Sequence, residues 1–243
     1  MSIPKVIHYC WFGRGEKSNL IKNCISSWSK LDGYLIKEWN EDNFDVGCHP
    51  YVKEAYDNKK YAFVSDYVRL KVLYEEGGIY LDTDVEIKRE FDIFLENKFF
   101  IGFMYDCLLG TAVIGSDKGN TMLLNMLEYY NDLKLEDNPN NNYITKYFLD
   151  NFKEFRLNNK LQSLSQGIVI YPKEYFERPT FKKVGGYSEH HYTATWKSSN
   201  NSGILKNIVK IMIGNIPYKM LTHKLALKKT PYYDIYLRHK NID

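Results

Sequence analysis

One segment of the sequence, residues 61–84, constrains the fold more than any other. Its first sixteen residues, Tyr61 to Glu76, have the apolar spacing of an amphipathic helix. Gly77 and Gly78 follow and predict the end of this helix, because glycine readily adopts a positive φ. From Ile79 to Ile87, apolar and acidic side chains alternate, which predicts a strand with its acids on one side.

The rest of the chain continues this alternation of helices and strands. Strands are predicted at residues 5–12, 34–39, 99–104, 108–114 and 168–171, and helices at residues 18–33, 120–133 and 143–152. The alternation predicts an α/β layer structure with a largely parallel sheet, in which ligands bind beyond the carboxyl ends of the strands. The 243 residues fit one large domain, or a domain with an appendage.

Asp82 and Asp84 are the first candidates for chemistry, because they follow a hydrophobic strand and are two residues apart. In an extended chain their carboxylates point the same way, with Cα atoms about 6–7 Å apart. Two anions so placed need a cation between them, or one of them must hold a proton. Oxygen ligands of this kind suit Mg²⁺ or Mn²⁺. The alternative is an acidic edge that faces water.

Asp66 and Arg69 form a second candidate pair, three residues apart on the predicted helix. On one helix face, the carboxylate can accept hydroxyl protons and the guanidinium can hold a hydroxyl or phosphate oxygen. The alternative is a simple ion pair on the helix surface. Trp11, at the carboxyl end of the first strand, is a further candidate, with packing in the core as its alternative.

Three segments resemble glycosyltransferase family 32, which includes sugar transferases that make bacterial capsules and exopolysaccharides. They are IPKVIHYCWFG at residues 3–13, EWNEDNFD at residues 38–45 and, above all, AFVSDYVRLKVLYEEGGIYLDTD at residues 62–84. A further patch of similarity is HHYTATW at residues 190–196. The resemblance implies a GT-A fold, that is, a Rossmann-like mixed and mostly parallel sheet flanked by helices. It also implies a nucleotide-sugar donor, Mn²⁺ or Mg²⁺, and retention at the anomeric carbon.

The resemblance also implies roles for residues that bind the donor. Trp11 would stack on the nucleobase, and Tyr80 would flank the nucleotide. Asp66 and Arg69 would hold hydroxyls of the ribose or of the donor sugar.

For the metal and the diphosphate, the resemblance implies ligands from two distant segments. Asp84 would ligate the metal directly, and Asp82 would act through water or on the ribose. His191 would be a further metal or diphosphate ligand, and Thr195 and Trp196 would hold the diphosphate. His191 and the histidine before it point opposite ways in an extended chain, so we expect one of the two to reach the metal.

The charge distribution singles out the C-terminal region. From residue 182 onward the sequence has 11 Lys and Arg and three acids, a net charge of +8. Because the whole chain has a net charge of +3, the first 181 residues carry −5. We therefore expect a catalytic domain over residues 1–200 and a basic amphipathic helical extension over residues 201–243 that meets an anionic membrane surface. The alternative is two helices that pack on the domain with their lysines in water.

These observations predict a metal-dependent retaining glycosyltransferase that moves a hexose, with a UDP-sugar as the favoured donor. The acceptor would be a glycan linked to undecaprenyl diphosphate, in capsular or cell-surface polysaccharide synthesis. With no visible signal peptide or membrane-spanning run, we expect a cytoplasmic enzyme, peripheral on the inner face of the membrane, without a nucleic-acid partner. The alternatives are an inactive module that binds nucleotide sugar and lipid, and a toxin-like enzyme that glycosylates protein.

Overall fold

The computed structural model describes residues 2–135, 140–177, 186–193 and 214–240. In these ranges, the centre of the molecule is a seven-stranded sheet with the order β2-β1-β3-β6-β5-β8-β7. Its strands are β1 (Val6–Cys10), β2 (Leu35–Trp39), β3 (Gly78–Leu81), β5 (Phe99–Tyr105), β6 (Leu108–Ser116), β7 (Gln162–Leu164) and β8 (Ile168–Tyr171). A separate two-stranded sheet pairs β4 (Val85–Ile87) with β9 (Ser188–His190).

The pairing directions give a mixed sheet in which most strands run the same way. β1 is parallel to β2 and to β3, and β5 is parallel to β8. β6 is antiparallel to both β3 and β5, and β7 is antiparallel to β8. Five strands therefore share one direction and two oppose it. This confirms the expected mixed, mostly parallel sheet.

The helices cover the two faces of the sheet. They are α1 (Asn19–Ser27), α2 (Pro50–Asp57), α3 (Tyr61–Glu76), α4 (Thr121–Glu128), α5 (Asn140–Asn151), α6 (Lys173–Phe176), α7 (Asn215–Leu227) and α8 (Tyr233–His239). The predicted helix over 120–133 is shorter, since α4 ends at Glu128 and a 3₁₀ turn follows through Asn131. β7, β9 and α6 were not predicted, because three or four residues are too few to show a period.

Two hydrophobic clusters lie on opposite faces of the sheet, because successive side chains of a strand point to opposite faces. Along β5, Ile101 and Phe103 join the larger cluster, whereas Phe100 joins the smaller one. Along β3, Tyr80 and Ile79 divide in the same way. The sheet is therefore covered on both sides, as in other three-layer α/β folds.

The glycine break after α3 has the backbone that the sequence predicts. Gly77 and Gly78 have φ values of +71° and +111°, which residues other than glycine rarely adopt. A Cβ atom at Gly78 would also stand 2.6 Å from the carbonyl oxygen of Val6 in β1. The break therefore turns the chain sharply from the helix into the centre of the sheet.

The strand predicted over residues 79–87 is wrong in one respect, because the chain turns in its middle. β3 ends at Leu81, and Asp82 to Asp84 form a turn in which the N–H of Val85 donates to the carbonyl oxygen of Asp82 at 3.0 Å. β4 then leaves the large sheet and pairs with β9. The alternation of apolar and acidic residues continues on both sides of this turn, so the pattern could not reveal it. The turn places both aspartates between the two sheets.

The described part of the C-terminal region packs on the main domain. Leu227 and Tyr236 are buried in the larger hydrophobic cluster. The hydroxyl of Tyr232 donates to the carbonyl oxygen of Asn142 at 2.6 Å, and Nδ1 of His239 accepts from the N–H of Leu157 at 3.1 Å. The expected domain boundary at residue 200 lies outside the described residues and stays a prediction. Across the described ranges, none of the helices combines the length and the apolar character that crossing a bilayer requires.

Candidate active site

The turn between β3 and β4 is held on one side by Arg69 of α3. Nη2 of Arg69 lies 2.9 Å from Oδ1 of Asp66 and 3.3 Å from Oδ1 of Asp82. Nη1 donates to the carbonyl oxygen of Thr111 at 2.7 Å, and Nε donates to that of Ser65 at 3.2 Å. All three guanidinium nitrogens therefore have partners. The structure thus brings together the helix pair and the first aspartate that the sequence singled out.

Tyr80 completes this side of the turn. Its hydroxyl donates to Oδ1 of Asp82 at 3.1 Å, and the guanidinium carbon of Arg69 lies 4.7 Å from the centre of its ring. The ring itself is buried in the larger hydrophobic cluster. Tyr80 therefore helps to orient the carboxylate of Asp82 through this hydrogen bond.

Burial dominates the protonation of the two carboxylates near Arg69. It raises the pKa of Asp66 to about 6, although the charge of Arg69 opposes this rise. Burial likewise raises the pKa of Asp82, again against Arg69. Ionised Asp66 is therefore costly in this environment, which makes it a carboxyl group that can hold or accept a proton near neutral pH.

The other side of the turn is formed around Asp84. Its Oδ2 accepts hydrogen bonds from the N–H of Thr193 at 2.8 Å and from the hydroxyl of Thr193 at 3.0 Å. Its Oδ1 lies 3.2 Å from Nε2 of His190. The N–H of His191 also donates to the carbonyl oxygen of Asp84 at 3.0 Å. Residues more than 100 positions apart thus meet at one carboxylate.

These contacts shift the pKa values of Asp84 and His190 in opposite directions. Burial disfavours the charged form of Asp84, but the hydrogen bonds from His190 and Thr193 hold its pKa well below the usual range. Burial alone would lower the pKa of His190, whereas the carboxylates of Glu177 and Asp84 raise it to about 10. Asp84 is therefore ionised at neutral pH.

The residues at the turn fit a divalent cation. One carboxylate oxygen from each of Asp82 and Asp84 and one ring nitrogen of His190 lie within 4.8 Å of one another. Adjacent ligands of an octahedral ion, each about 2.1 Å from it, stand about 3 Å apart. The 3.2 Å between Nε2 of His190 and Oδ1 of Asp84 matches this spacing. Two carboxylates and one imidazole suit Mn²⁺, and the two carboxylates also suit Mg²⁺.

The histidine that lies against the aspartates is His190, whereas the sequence led us to expect His191. Nε2 of His191 instead lies 3.1 Å from Oε2 of Glu86, on the other side of the small sheet. The reason is the register of β9, in which Val85 pairs with His190, since neighbouring side chains of a strand point to opposite faces. A shift of one residue would have exchanged the two histidines.

Trp11 lies in a cleft beyond the carboxyl end of β1. The cleft is lined by Trp11, Arg14, Gly15, Glu16, Lys17, Lys22, Glu38, Asn40, Glu41 and Asp42. Nε1 of Trp11 donates to the carbonyl oxygen of Gly15 at 2.7 Å, and Nζ of Lys17 lies 5.2 Å from its ring centre. The indole is partly exposed rather than buried in the core. Thr195 and Trp196, the expected diphosphate ligands, lie outside the described residues.

Two residues of this site carry no signal that we recognised in the sequence. Thr193 holds Asp84 through a backbone and a side-chain hydrogen bond, and Glu177 contacts His190. Their places depend on how β9 pairs with β4, a contact between segments about 100 residues apart that local patterns do not encode. The HHYTATW run at residues 190–196 marked this segment as part of the site, but it did not single out Thr193 and does not include Glu177.

Comparison with known proteins relates this chain to glycosyltransferases. The family described as "Glycosyltransferase sugar-binding region containing DXD motif" matches residues 16–100. The chain is 32% identical over 184 residues to the uncharacterized glycosyltransferase L373 of Acanthamoeba polyphaga mimivirus, covering 67% of this chain and 70% of the relative. The protein therefore belongs to the family of DXD-containing glycosyltransferases.

The chain is also similar to part of a longer curated protein and, in its fold, to a solved structure. The chain is 30% identical over 135 residues to inositol phosphoceramide mannosyltransferase 3 of Schizosaccharomyces pombe, covering 52% of this chain and 36% of that longer protein. Among solved structures, the PaToxG glycosyltransferase aligns with a TM-score of 0.52 at 19% identity, covering 61% of this chain and 69% of that one. The structural likeness establishes the GT-A fold.

Proposed function

We propose that this protein is a metal-dependent, retaining glycosyltransferase that moves a hexose from a nucleotide diphosphate sugar, with UDP-sugars favoured, to a glycan acceptor. The observation that carries the proposal is the meeting of Asp82, Asp84 and His190 at the turn that follows a central parallel strand. This is the edge of the sheet at which α/β proteins bind their ligands. Mn²⁺ or Mg²⁺ held there would supply Lewis-acid stabilisation of the departing diphosphate.

The residues around the turn divide the remaining work. Arg69 fixes the carboxylates of Asp66 and Asp82, so its role is to position them. Asp66, whose side chain keeps 16% of its surface exposed, accepts a hydrogen bond from a hydroxyl of the ribose or of the donor sugar. Thr193 keeps Asp84 ionised and oriented. Preorganised charges of this kind lower the barrier because they need not reorganise during the reaction.

Trp11 is the residue that we propose to support the nucleotide, in the cleft beyond the carboxyl end of β1. Its partly exposed ring offers a face on which a nucleobase can stack, a contact worth about 1–3 kcal/mol per base. Nζ of Lys17 lies over one face of this ring, 5.2 Å from its centre, and is paired with Glu38 at 2.9 Å, which leaves the other face for a base. Thr195 and Trp196 remain proposed ligands of the diphosphate.

For the chemical step, we propose that the acceptor hydroxyl attacks the anomeric carbon on the face from which the diphosphate leaves. The bond from the anomeric carbon to the diphosphate oxygen breaks, and the bond to the acceptor oxygen forms. The hydroxyl proton passes to the departing diphosphate oxygen, so no protein base is required. The product keeps the configuration of the donor.

The acceptor that we propose is linked to a lipid, such as a glycan on undecaprenyl diphosphate in the synthesis of a capsular or cell-surface polysaccharide. The name of the Schizosaccharomyces pombe relative assigns that protein a lipid substrate, inositol phosphoceramide. Leu221 and Leu225 are exposed four residues apart on α7, and Lys228 and Lys229 follow them in exposed positions. An apolar helix face beside lysines suits the anionic inner surface of a cell membrane.

A panel of UDP- and GDP-sugars, each with Mn²⁺, with Mg²⁺ and with a chelator, tests the donor and the metal. We expect one UDP-sugar to be hydrolysed slowly with Mn²⁺ and to raise the melting temperature, and neither effect with chelator. Full turnover in chelator would refute the metal dependence, and no response to any nucleotide sugar would refute the proposed reaction.

The acceptor is tested by offering the donor with a lipid-linked glycan in anionic vesicles, with the same glycan free in solution, and with protein. We expect transfer chiefly to the lipid-linked glycan. We also expect the double variant Leu221→Ser, Leu225→Ser to bind anionic vesicles roughly 10-fold more weakly, because it loses exposed apolar surface. Faster transfer to protein would favour a toxin-like enzyme.

A further inference from the structure

Glu177 is a buried carboxylate beside the candidate metal site that the reaction described above does not use. It follows α6 directly and is 2% exposed. Its Oε2 accepts a hydrogen bond from Nδ1 of His190 at 2.8 Å and another from the hydroxyl of Tyr192 at 2.7 Å. A carboxylate so deeply buried is costly without such donors, so these two hydrogen bonds stabilise it in this position.

The backbone around Glu177 fixes this carboxylate in place. The N–H of Glu177 donates to the carbonyl oxygen of Lys173 at 2.9 Å, at the end of α6. The hydroxyl of Ser188 in β9 donates to the carbonyl oxygen of Phe176 at 2.8 Å, which ties α6 to β9. Gly110 of β6 leaves room for the side chain, since a Cβ atom there would stand 2.3 Å from Oε1 of Glu177.

The two nitrogens of His190 consequently face two different partners. Nδ1 points to Glu177 at 2.8 Å, and Nε2 points to Asp84 at 3.2 Å. A histidine that binds a metal through one nitrogen usually donates its other N–H to a carboxylate or carbonyl, which fixes the ring and raises its basicity. The stacking of Tyr192 on His190, with ring centres 4.0 Å apart, further restricts the rotation of the imidazole.

We propose that Glu177 is the positioning residue of the metal site, which holds the Nδ1–H of His190 and thereby presents Nε2 to the cation beside Asp82 and Asp84. This inference rests on the proposed metal-dependent transfer and adds to it the residue that orients the ring of His190, the third protein ligand. A cation held by Nε2 would require that nitrogen to be deprotonated, with the single ring proton on Nδ1, facing Glu177.

The neighbouring pair Glu86 and His191 provides a matched control within the same short sheet. It is also a carboxylate–histidine contact, at 3.1 Å, but its side chains are 30% and 24% exposed and it points away from the aspartates. Lys88 also contacts Glu86, at 2.6 Å. Removing the negative charge at position 86 should therefore leave the metal site intact.

The test measures Mn²⁺ affinity by titration calorimetry in the presence of UDP, for the full chain and its variants. We expect Glu177→Gln to bind Mn²⁺ about 10–100-fold more weakly, since loss of such a partner typically costs this much. We expect Glu86→Gln to bind as the unchanged protein does. Glu177→Asp, which keeps the charge but shortens the side chain, should lie between them and provides a second variant if Glu177→Gln does not fold.

Pulsed electron paramagnetic resonance of bound Mn²⁺ gives a readout that a merely structural role would not move. Coupling to an imidazole nitrogen should be present in the unchanged protein and in His191→Ala, and absent in His190→Ala. Unchanged Mn²⁺ affinity in Glu177→Gln, or coupling lost in His191→Ala instead, overturns the inference while the metal-dependent reaction stands. If the unchanged protein binds no Mn²⁺, the inference and the proposed metal dependence both fail.

Discussion

Asp82 and Asp84 are two residues apart in one turn, yet their surroundings are very different. Asp82 lies on the side of Arg69 and Tyr80, where burial raises its pKa. Asp84 lies on the side of His190 and Thr193, where hydrogen bonds outweigh burial and lower its pKa. The two aspartates therefore have different partners, and each set of partners comes from a different part of the chain.

This difference indicates a division of labour within the turn. The guanidinium of Arg69 already has a partner at each nitrogen, so that side forms a completed framework that fixes the turn. On the other side, Nε2 of His190 and Oδ1 of Asp84 are adjacent and both are suited to ligate a cation. We therefore expect Asp84 to be the stronger metal ligand and Asp82 to contribute mainly orientation.

The largest expected effect is the contrast between Asp84→Asn and Asp82→Asn. Asp84→Asn removes the carboxylate that is ionised most readily, so we expect Mn²⁺-dependent turnover of the donor to fall by at least about 1,000-fold. Asp82→Asn should cost less, about 10–100-fold, because its partners hold the turn in place. Turnover of the donor at saturating Mn²⁺ measures both, and a greater loss in Asp82→Asn would reverse the comparison.

A second prediction concerns Asp66, on the side of Arg69. Its pKa is raised by burial to about 6, whereas an unfolded chain has about 3.8, so the folded protein holds this proton more tightly. The free energy of unfolding should therefore fall by up to roughly 3 kcal/mol as the pH rises from about 4 to about 6. Denaturant unfolding of the metal-free protein across this range measures the effect.

Asp66→Asn should lack this component of the pH dependence, because it carries no proton to lose. Asp150→Asn is the control, since Asp150 forms an exposed ion pair with Lys146 on α5 and should keep the full dependence. If Asp66→Asn shows the same fall as the unchanged protein, then burial does not govern this carboxyl group.

The smallest effect distinguishes the two sides by removing one hydroxyl from each. Thr193→Val loses the side-chain hydrogen bond to Asp84 but keeps the backbone one, and should weaken Mn²⁺ binding about 5-fold. Tyr80→Phe loses the hydrogen bond to Asp82 and should weaken it only about 2-fold. Calorimetric titration compares them, and an equal loss in both would show that the two aspartates share the cation evenly.

Much of the Arg69 side could be predicted from the sequence because it is local. The α3 helix, the Gly77-Gly78 break and the strand that leads to Asp82 all lie within 24 residues, and helical spacing places Asp66 beside Arg69. The fold class followed from the alternation of helices and strands. These features depend on periodicity and on backbone preferences, which a single sequence displays.

The His190 side could not be predicted in the same way. The choice between His190 and His191 depends on the register of β9, and a shift of one residue reverses it. The contact of Glu177 with His190 depends on how α6 packs beside β9, and three- and four-residue elements have no period to recognise. The turn at Asp82 to Asp84 was missed for a different reason, because the alternation of apolar and acidic residues continues through it.

The short ladder between β4 and β9 has a consequence for the stability of the molecule. Only three residue pairs join these strands in the described part of the chain, and Asp84 and His190 lie at its end. A cation shared by the two side chains would work as a reversible cross-link between points about 100 residues apart, much as a disulfide closes a long loop. Binding of the ion would thus stabilise the pairing of β9 with β4, and its release would remove that stabilisation.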